Sequence, residues 1–170
     1  MTWQTQLATI LLPAILQVES GGRLDVPDSA AGARGPYQIT LAAWTEALEY
    51  LWKTDSVTFP YWGGGDWIDG PRNLLCARVA ARAYLLSMGE RYQKRTGRAP
   101  TMEVLARMYN GGPSGWKHLN TVAYWRRVQT AIASQRVAQR DALSPSNGPP
   151  SAAVPRKKSQ ARAPAPHRQP

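Results

Sequence analysis

The stretch ILQVESGGRLDVPDSAAGARGPYQIT, residues 15–40, decides how the chain is interpreted. An apolar segment that predicts a helix ends at Glu19, where Ser20 and two glycines stop it. A second glycine-punctuated turn follows and ends in Gln38. Glycine lets the backbone approach a ligand closely. The carboxylate at the end of this apolar helix is therefore either a solvated helix terminus or a reactive acid in a cleft.

The hydrophobic residues recur at helical spacing, and no alternating strand pattern of any length is present, so the sequence predicts a mostly α domain. The first predicted helix covers residues 4–19, with Pro13 either kinking it or starting its second half. A strong helix is predicted between Pro71 and Gly97. The other predicted helices are TLAAWTEALEYLW at 40–52, TMEVLARMYN at 101–110 and VAYWRRVQTAIASQRVAQR at 122–140.

Few residues are available for metal or nucleophilic chemistry. Cys76 is the single cysteine, which excludes an internal disulfide, and the two histidines make a zinc site an unfavoured interpretation. No Gly-x-Ser-x-Gly motif supports a Ser-His-Asp triad. The sequence therefore predicts neither a metal nor another cofactor.

The apolar segment at residues 7–16 is too short to span a bilayer, so no membrane span is expected. It also has no basic segment before it and no small-residue cleavage site after it, which argues against a Sec signal.

The chain is 170 residues long, which predicts one domain with an appendage. From about Ala142 the composition changes to Pro, Ala, Ser and basic residues, which cannot bury enough apolar surface to fold. We therefore expect a monomeric domain at residues 1–141 and a disordered tail at 142–170. Residues 136–170 carry seven basic residues and one acidic residue, so the tail is expected to contact a polyanion or a cell wall.

Residues 53–70 form a long loop rich in Gly and aromatic residues, and loops of this length are usually functional when they are ordered. Trp62 and Trp67 are candidates for stacking on sugar rings. Asp66 and Asp69, in the same loop, are the most attractive second carboxylates for a glycosidase. The arginines of the preceding glycine-rich segment, Arg23 and Arg34, are interpreted as solvated loop charges.

An ordered set of short motifs in this chain resembles the family 23 lytic transglycosylases, relatives of goose-type lysozyme. Those proteins have Glu-Ser at the end of a first helix, then Ser-x-x-Gly-Ala-x-Gly-Leu-Met-Gln, then Asn, Tyr-Leu and Ala-Tyr-Asn. The matching residues here are Glu19, Ser20, Ser29, Gly32, Ala33, Gly35, Gln38, Asn73, Tyr84, Leu85, Tyr109 and Asn110. The chain differs from the family pattern at Pro36 and Tyr37, which replace Leu-Met before Gln38, and at Met108, which replaces Ala before Tyr109. These differences bear on how the substrate fits and not on the type of reaction.

The resemblance implies a lysozyme-like helical fold and a site that cuts the MurNAc-GlcNAc β-1,4 bond of peptidoglycan. Glu19 would be the general acid, and desolvation would raise its pKa above the value of about 4.3 that holds in water. A lytic transglycosylase uses one Glu, because the acetamido group and the 6-hydroxyl of the substrate complete the reaction as a 1,6-anhydro ring. The residues expected to bind or shape the substrate cleft are Ser20, Tyr37, Gln38, Trp62, Trp67, Tyr109 and Asn110, and Asn73 is expected to be structural.

Two alternatives stay open at this point. One is a hydrolytic muramidase of the same fold, in which Asp66 or Asp69 positions a water molecule. The other is a non-catalytic module that binds a wall or a nucleic acid. An enzyme with this substrate acts at the bacterial cell wall or in the periplasm. Without a Sec signal it would be delivered by a phage virion, through a membrane lesion, or by a secretion or conjugation machine.

Overall fold

The computed structural model describes residues 1–54 and 66–143. Trp62 and nearly all of the segment expected to be a tail lie outside the described residues. Within them the chain is mostly helical and contains no strand beyond one isolated bridge, which confirms the predicted fold class. No described helix is both long enough and apolar enough to cross a membrane.

Six α-helices make up the described fold: α1 Trp3–Gln6, α2 Leu12–Ser20, α3 Leu41–Thr54, α4 Leu74–Thr96, α5 Met102–Gly111 and α6 Val122–Leu143. A π-helical turn at Leu7–Leu11 joins α1 to α2. Short 3₁₀ helices are formed by Gly70–Arg72, Gly112–Lys117 and Leu119–Thr121.

Pro13 explains why the first helix changes its winding. Proline cannot donate the backbone hydrogen bond that a helix interior needs, and its ring crowds the carbonyl group four residues earlier. The chain forms a π-helical turn just before this point, and Pro13 lies in the first turn of α2. Of the two roles considered for Pro13, starting the second half of the helix is the one observed.

The core lies where α2 packs against α6 and α3 packs against α4. Leu11, Ile15, Leu85, Met88 and Val128 are each fully buried there. Burying one side chain of this kind contributes about 1.5–3 kcal/mol. Because α2 is held on α6, the last turn of α2 faces the first turns of α6.

Helix α4 ends where the sequence predicted, just before Gly97, but it begins at Leu74, after the 3₁₀ helix that contains Pro71. The Asn73 side-chain oxygen accepts hydrogen bonds from the backbone N–H groups of Leu75, at 3.0 Å, and Cys76, at 3.1 Å. A cap of this kind is worth about 1 kcal/mol, so Asn73 is structural. Gly97 ends the helix in the left-handed conformation, with φ of 70°.

The glycine-rich segment before α3 is a defined turn. Arg34 and Ile39 exchange two backbone hydrogen bonds of 2.9 Å, and they close a turn from Gly35 to Gln38. Gly35 has φ of +68°, and a Cβ atom there would lie 1.7 Å from the Pro71 carbonyl oxygen. Only glycine fits this contact, which docks the turn on the segment that leads into α4.

Arg34 is not the solvated loop charge that the sequence suggested. Its guanidinium lies 4.8 Å from the ring centroid of Trp67, and Nη1 donates to the Trp67 carbonyl oxygen at 3.0 Å. Nε is 3.2 Å from the Asp28 carboxylate, which also pairs with Arg72 at 2.7 Å. Arg34 therefore ties the glycine-rich segment to residues 66–72, because several partners lie within its reach.

Candidate active site

Glu19 lies in the last turn of α2 and is partly buried. Its Oε1 accepts a 2.7 Å hydrogen bond from the Tyr124 hydroxyl on α6. Burial raises the pKa of Glu19 above its ordinary value, while the Tyr124 hydrogen bond and the nearby Arg127 charge act in the opposite direction. Glu19 is therefore a partly desolvated acid with a fixed partner, and not a solvated helix terminus.

Tyr109, on α5, is the second phenol close to this acid. Its hydroxyl donates a 2.6 Å hydrogen bond to the backbone carbonyl oxygen of Tyr37. Burial, and after it the negative charge of Glu19, raise the pKa of Tyr109 well above 10. The pKa of Tyr124 is raised well above 10 for the same two reasons. Both phenols therefore stay protonated and act as hydrogen-bond donors near Glu19.

A cleft of about 420 Å³ opens beside Tyr109. Its volume lies within the range of about 300–1,000 Å³ that is typical of small-molecule sites. The cleft is lined by Gln38, Ile39, Thr40, Ala42, Ala43, Glu46, Tyr84, Tyr109, Asn110, Gly112 and Pro113. Three of the residues predicted from the sequence, Gln38, Tyr109 and Asn110, are thus brought together. Glu19 does not line this cavity itself, and Tyr109 lies near both.

Gln38 adopts an unusual backbone conformation at the edge of the cleft. It has a φ of 45°, although it is not a glycine. Its side-chain Nε2 donates to the carbonyl oxygens of Gly35, at 3.0 Å, and Pro27, at 3.4 Å. Because the amide nitrogen is used within the loop, the amide oxygen is the group that Gln38 can offer to a ligand. Strained conformations of this kind cluster at functional sites.

Ser20 and Tyr37, both expected at the substrate cleft, have structural contacts instead. Ser20 is 4% exposed and its Oγ donates to the Leu16 carbonyl oxygen at 2.9 Å, within the same helix. Tyr37 is 2% exposed and belongs to the hydrophobic core. Tyr37 therefore reaches the site through its backbone carbonyl group, which accepts the Tyr109 hydrogen bond.

Asp66 and Asp69, the two aspartates of the 53–70 loop that the structure describes, have no contact with Glu19 among the described residues. Asp66 Oδ1 accepts the backbone N–H groups of Ile68 and Asp69, each at 2.9 Å, so it caps its own turn. Asp69 is exposed and precedes the 3₁₀ helix that starts at Gly70. Trp67 is partly buried, with Arg34 over its ring and Trp44 at a centroid distance of 6.4 Å.

Sequence reasoning missed Tyr124, Arg127 and Glu46. Tyr124 and Val128 lie four residues apart on the buried side of α6, and a buried tyrosine usually needs a partner for its hydroxyl. That signal was available, but it did not identify the partner. Arg127 lies 5.3 Å from the ring centroid of Tyr124 and belongs to the same cluster. The described residues contain no group of three or more His, Cys, Asp or Glu side chains that could hold a metal ion.

No family model matches the chain. Over 123 residues it is 44% identical to "Lysozyme 1" of Crassostrea virginica, a match that covers 69% of this chain and 56% of that protein. It is 35% identical over 66 residues to "Lysozyme" of Meretrix lusoria, covering 39% of this chain and 51% of that protein. It is 40% identical over 53 residues to "Lysozyme" of Magallana gigas, covering 31% of this chain and 36% of that protein. The chain spans about half the length of the first two relatives.

The chain is thus similar in sequence to proteins named lysozyme. Its resemblance to the lytic transglycosylases in particular rests on the short motifs alone.

Proposed function

We propose that the chain is a lysozyme-type enzyme that cleaves the MurNAc-GlcNAc β-1,4 bond of peptidoglycan, with Glu19 as the general acid. The observation that carries this proposal is the partly buried Glu19, whose pKa is raised by burial and whose carboxylate is held by Tyr124. The similarity to proteins named lysozyme supports the same class of activity.

The chemistry follows from the two oxygens of the Glu19 carboxyl group. Oε1 accepts a hydrogen bond from the Tyr124 hydroxyl. In the protonated acid, the proton that can be transferred to the substrate is therefore carried by Oε2. Bond cleavage needs that proton on the leaving oxygen of the glycosidic bond. A carboxyl group with a raised pKa stays protonated at higher pH than a solvated one, which suits it to this step.

The cleft supplies groups that suit an amino sugar. The amide oxygen of Gln38 and the side chain of Asn110 can exchange hydrogen bonds with hydroxyl and acetamido groups. Tyr84 and Tyr109 provide aromatic surface along the same wall, with ring centroids 6.1 Å apart. The possible stacking role of Trp67, and the roles of Asn110 and Gln38 in binding, stay predictions.

Hydrolysis is the outcome that we propose first, because the similar proteins are named lysozyme. A lytic transglycosylase outcome is the second candidate, and one observation favours it. Asp66 is engaged in capping its own turn, and Asp28 is paired with both Arg34 and Arg72. Asp66 and Asp28, which already have such partners, are poor candidates for activating water, and Asp69 has no contact with Glu19 among the described residues. A transglycosylase needs only Glu19 and the substrate's own groups.

Digestion of purified sacculi tests the proposal. The wild-type protein should release soluble muropeptides, and the Glu19→Gln variant should release almost none. Mass spectrometry of the products then separates the two outcomes, because 1,6-anhydro products lack one water molecule that hydrolysed products contain. Delivery by a phage or a secretion machine, and contact of the basic tail with a polyanion, stay predictions from the sequence.

A further inference from the structure

We propose that Glu46 forms a second binding subsite of the cleft, where its carboxylate accepts hydrogen bonds from a sugar ring next to the reacting one. This inference rests on the proposed function, since it concerns the same glycan strand. Among the described residues that line the cleft, Glu46 alone carries a charge.

The position of Glu46 follows from the tyrosine wall of the cleft. Tyr109 lies close enough to Glu19 to feel its negative charge, and Tyr84 lies close enough to Glu46 to feel that charge. The rings of Tyr109 and Tyr84 are adjacent, with centroids 6.1 Å apart in an edge-on arrangement. Glu19 is therefore close to one member of a pair of adjacent tyrosines, and Glu46 lines the same cleft close to the other. This arrangement suits two sites along one polymer.

The Glu46 carboxylate is held in place before any ligand arrives. It projects from α3 and is 25% exposed. Its Oε1 accepts a 2.9 Å hydrogen bond from Ser87 and an ion-paired hydrogen bond from Arg91, both on α4. Oε2 takes part in neither bond, so an oxygen with two lone pairs remains for a ligand. Because two groups fix the carboxylate, little side-chain entropy is lost on binding.

The chemistry of an N-acetylated sugar complements this group. Such a sugar offers hydroxyl and amide N–H donors, and an ionised carboxylate only accepts hydrogen bonds. Hydrogen bonds to a charged acceptor are stronger than those between neutral groups. Arg91 offsets the negative charge, so the subsite does not repel the anionic lactyl and peptide carboxylates of a peptidoglycan strand.

A purely structural role would also explain contacts between α3 and α4, so a matched control is needed. Glu90 on α4 accepts a 2.6 Å hydrogen bond from the Tyr50 hydroxyl on α3. It joins the same two helices through a carboxylate, and it does not line the cleft. A change at Glu90 removes a comparable tie between the helices and leaves the subsite intact.

The test uses the Glu19→Gln protein as its background, so that bound sugar is not cut, and titrates it with tri-N-acetylchitotriose followed by NMR. We expect Glu46→Gln to weaken binding about tenfold, the loss of one charge-assisted hydrogen bond, and Glu90→Gln to leave it unchanged. The milder variant Ser87→Ala should weaken binding by a smaller factor. The melting temperatures of the Glu46 and Glu90 variants should be similar.

Equal affinities in the Glu46→Gln and Glu90→Gln proteins would overturn the subsite and leave Glu46 as a tie between helices. That result is distinguishable from failure of the proposed function, which would appear as sacculus lysis that persists in Glu19→Gln. With Glu19 intact, Glu46→Gln should raise KM for glycan and change kcat little. A fall in kcat with an unchanged KM would also contradict a binding role.

Discussion

The hydroxyl of Tyr124 donates a 2.7 Å hydrogen bond to Oε1 of Glu19, although the two residues are 105 positions apart in the sequence. The contact exists because α2 packs against α6, which brings the last turn of one helix to the first turn of the other. The orientation of the candidate acid is thus set by the packing of the core. A variant of Glu19 should therefore remove the proton that the acid delivers, and a variant of Tyr124 should remove the hydrogen bond that orients it.

The Glu19→Gln variant should lose activity on sacculi by at least about 10²-fold, because an amide has no proton to deliver and general acid catalysis contributes about 10²–10⁴-fold. The amide is nearly isosteric with the acid, and its oxygen can still accept the Tyr124 hydrogen bond. The turnover of purified sacculi measures the loss, and the circular dichroism spectrum should match the wild type. A loss smaller than about tenfold would exclude Glu19 as the acid.

The same variant should be more thermostable than the wild type near neutral pH. The folded protein has a Glu19 pKa above the unfolded value, so folding favours the protonated form. The contribution of Glu19 to stability is therefore fully present below its unfolded pKa and is lost as the pH rises through the folded pKa. Glutamine does not ionise, so it avoids that loss.

Melting temperatures measured from pH 4 to pH 8 check this sign. The advantage of Glu19→Gln should amount to roughly a few degrees at the upper end and shrink towards the lower end. A difference between the two proteins that stays constant with pH would show that ionisation of Glu19 is not its cause.

Tyr124→Phe should shift the pH dependence of the reaction. The Tyr124 hydrogen bond stabilises the ionised carboxylate and lowers the pKa of Glu19, so its removal should raise that pKa further. The alkaline limb of the profile of kcat/KM against pH reports the loss of the protonated acid. It should therefore move to higher pH, while the maximal rate falls because the carboxyl group is less well oriented.

A matched control for that experiment is Tyr92→Phe. The Tyr92 ring packs edge-on against Trp116 at 5.3 Å, and it does not line the cleft. Its variant should keep the wild-type pH profile. A Tyr124→Phe profile that coincides with the wild type, or moves to lower pH, would contradict the assigned role of the hydrogen bond.

The helices were predictable because each depends on local signals. The apolar periodicity of α4, the Asn73 cap and the terminal Gly97 all lie within one segment of sequence. The partners of the side chains depend instead on packing between distant segments. The sequence does not indicate that Arg34 contacts Trp67, which is 33 positions away, although its other partner, Asp28, lies only six positions before it. Nor does it indicate that the ring of Tyr37 belongs to the core.

The candidate acid was predictable for a different reason. Glu19, Gln38 and Tyr109 each lie beside a helix end or a glycine turn, and their order along the chain carried the motif resemblance. Tyr124 and Glu46 lie within regular helices, where a functional side chain has the same local pattern as a structural one. Only the contact of Tyr124 with Glu19 and the position of Glu46 in the cleft distinguish them.

Gly35→Ala should destabilise the fold by at least about 3 kcal/mol, which combines a strained backbone with overpacking. The new Cβ atom would lie 1.7 Å from the Pro71 carbonyl oxygen, and the residue would also have to keep φ at +68°. The turn that presents Gln38 must then leave the segment before α4, so activity should fall together with stability. Urea denaturation measures the first effect and sacculus turnover the second.

The variant Gly97→Ala separates the two causes of the expected destabilisation, which are backbone strain and overpacking. Gly97 has almost the same backbone conformation, with φ of +70°, but nothing lies within 4 Å of the position that its Cβ would occupy. This variant should lose only the cost of a left-handed residue, about 1–2 kcal/mol, and keep its activity. Equal losses in the two variants would mean that the backbone conformation alone matters, and that the contact between Gly35 and Pro71 does not hold the turn at the site.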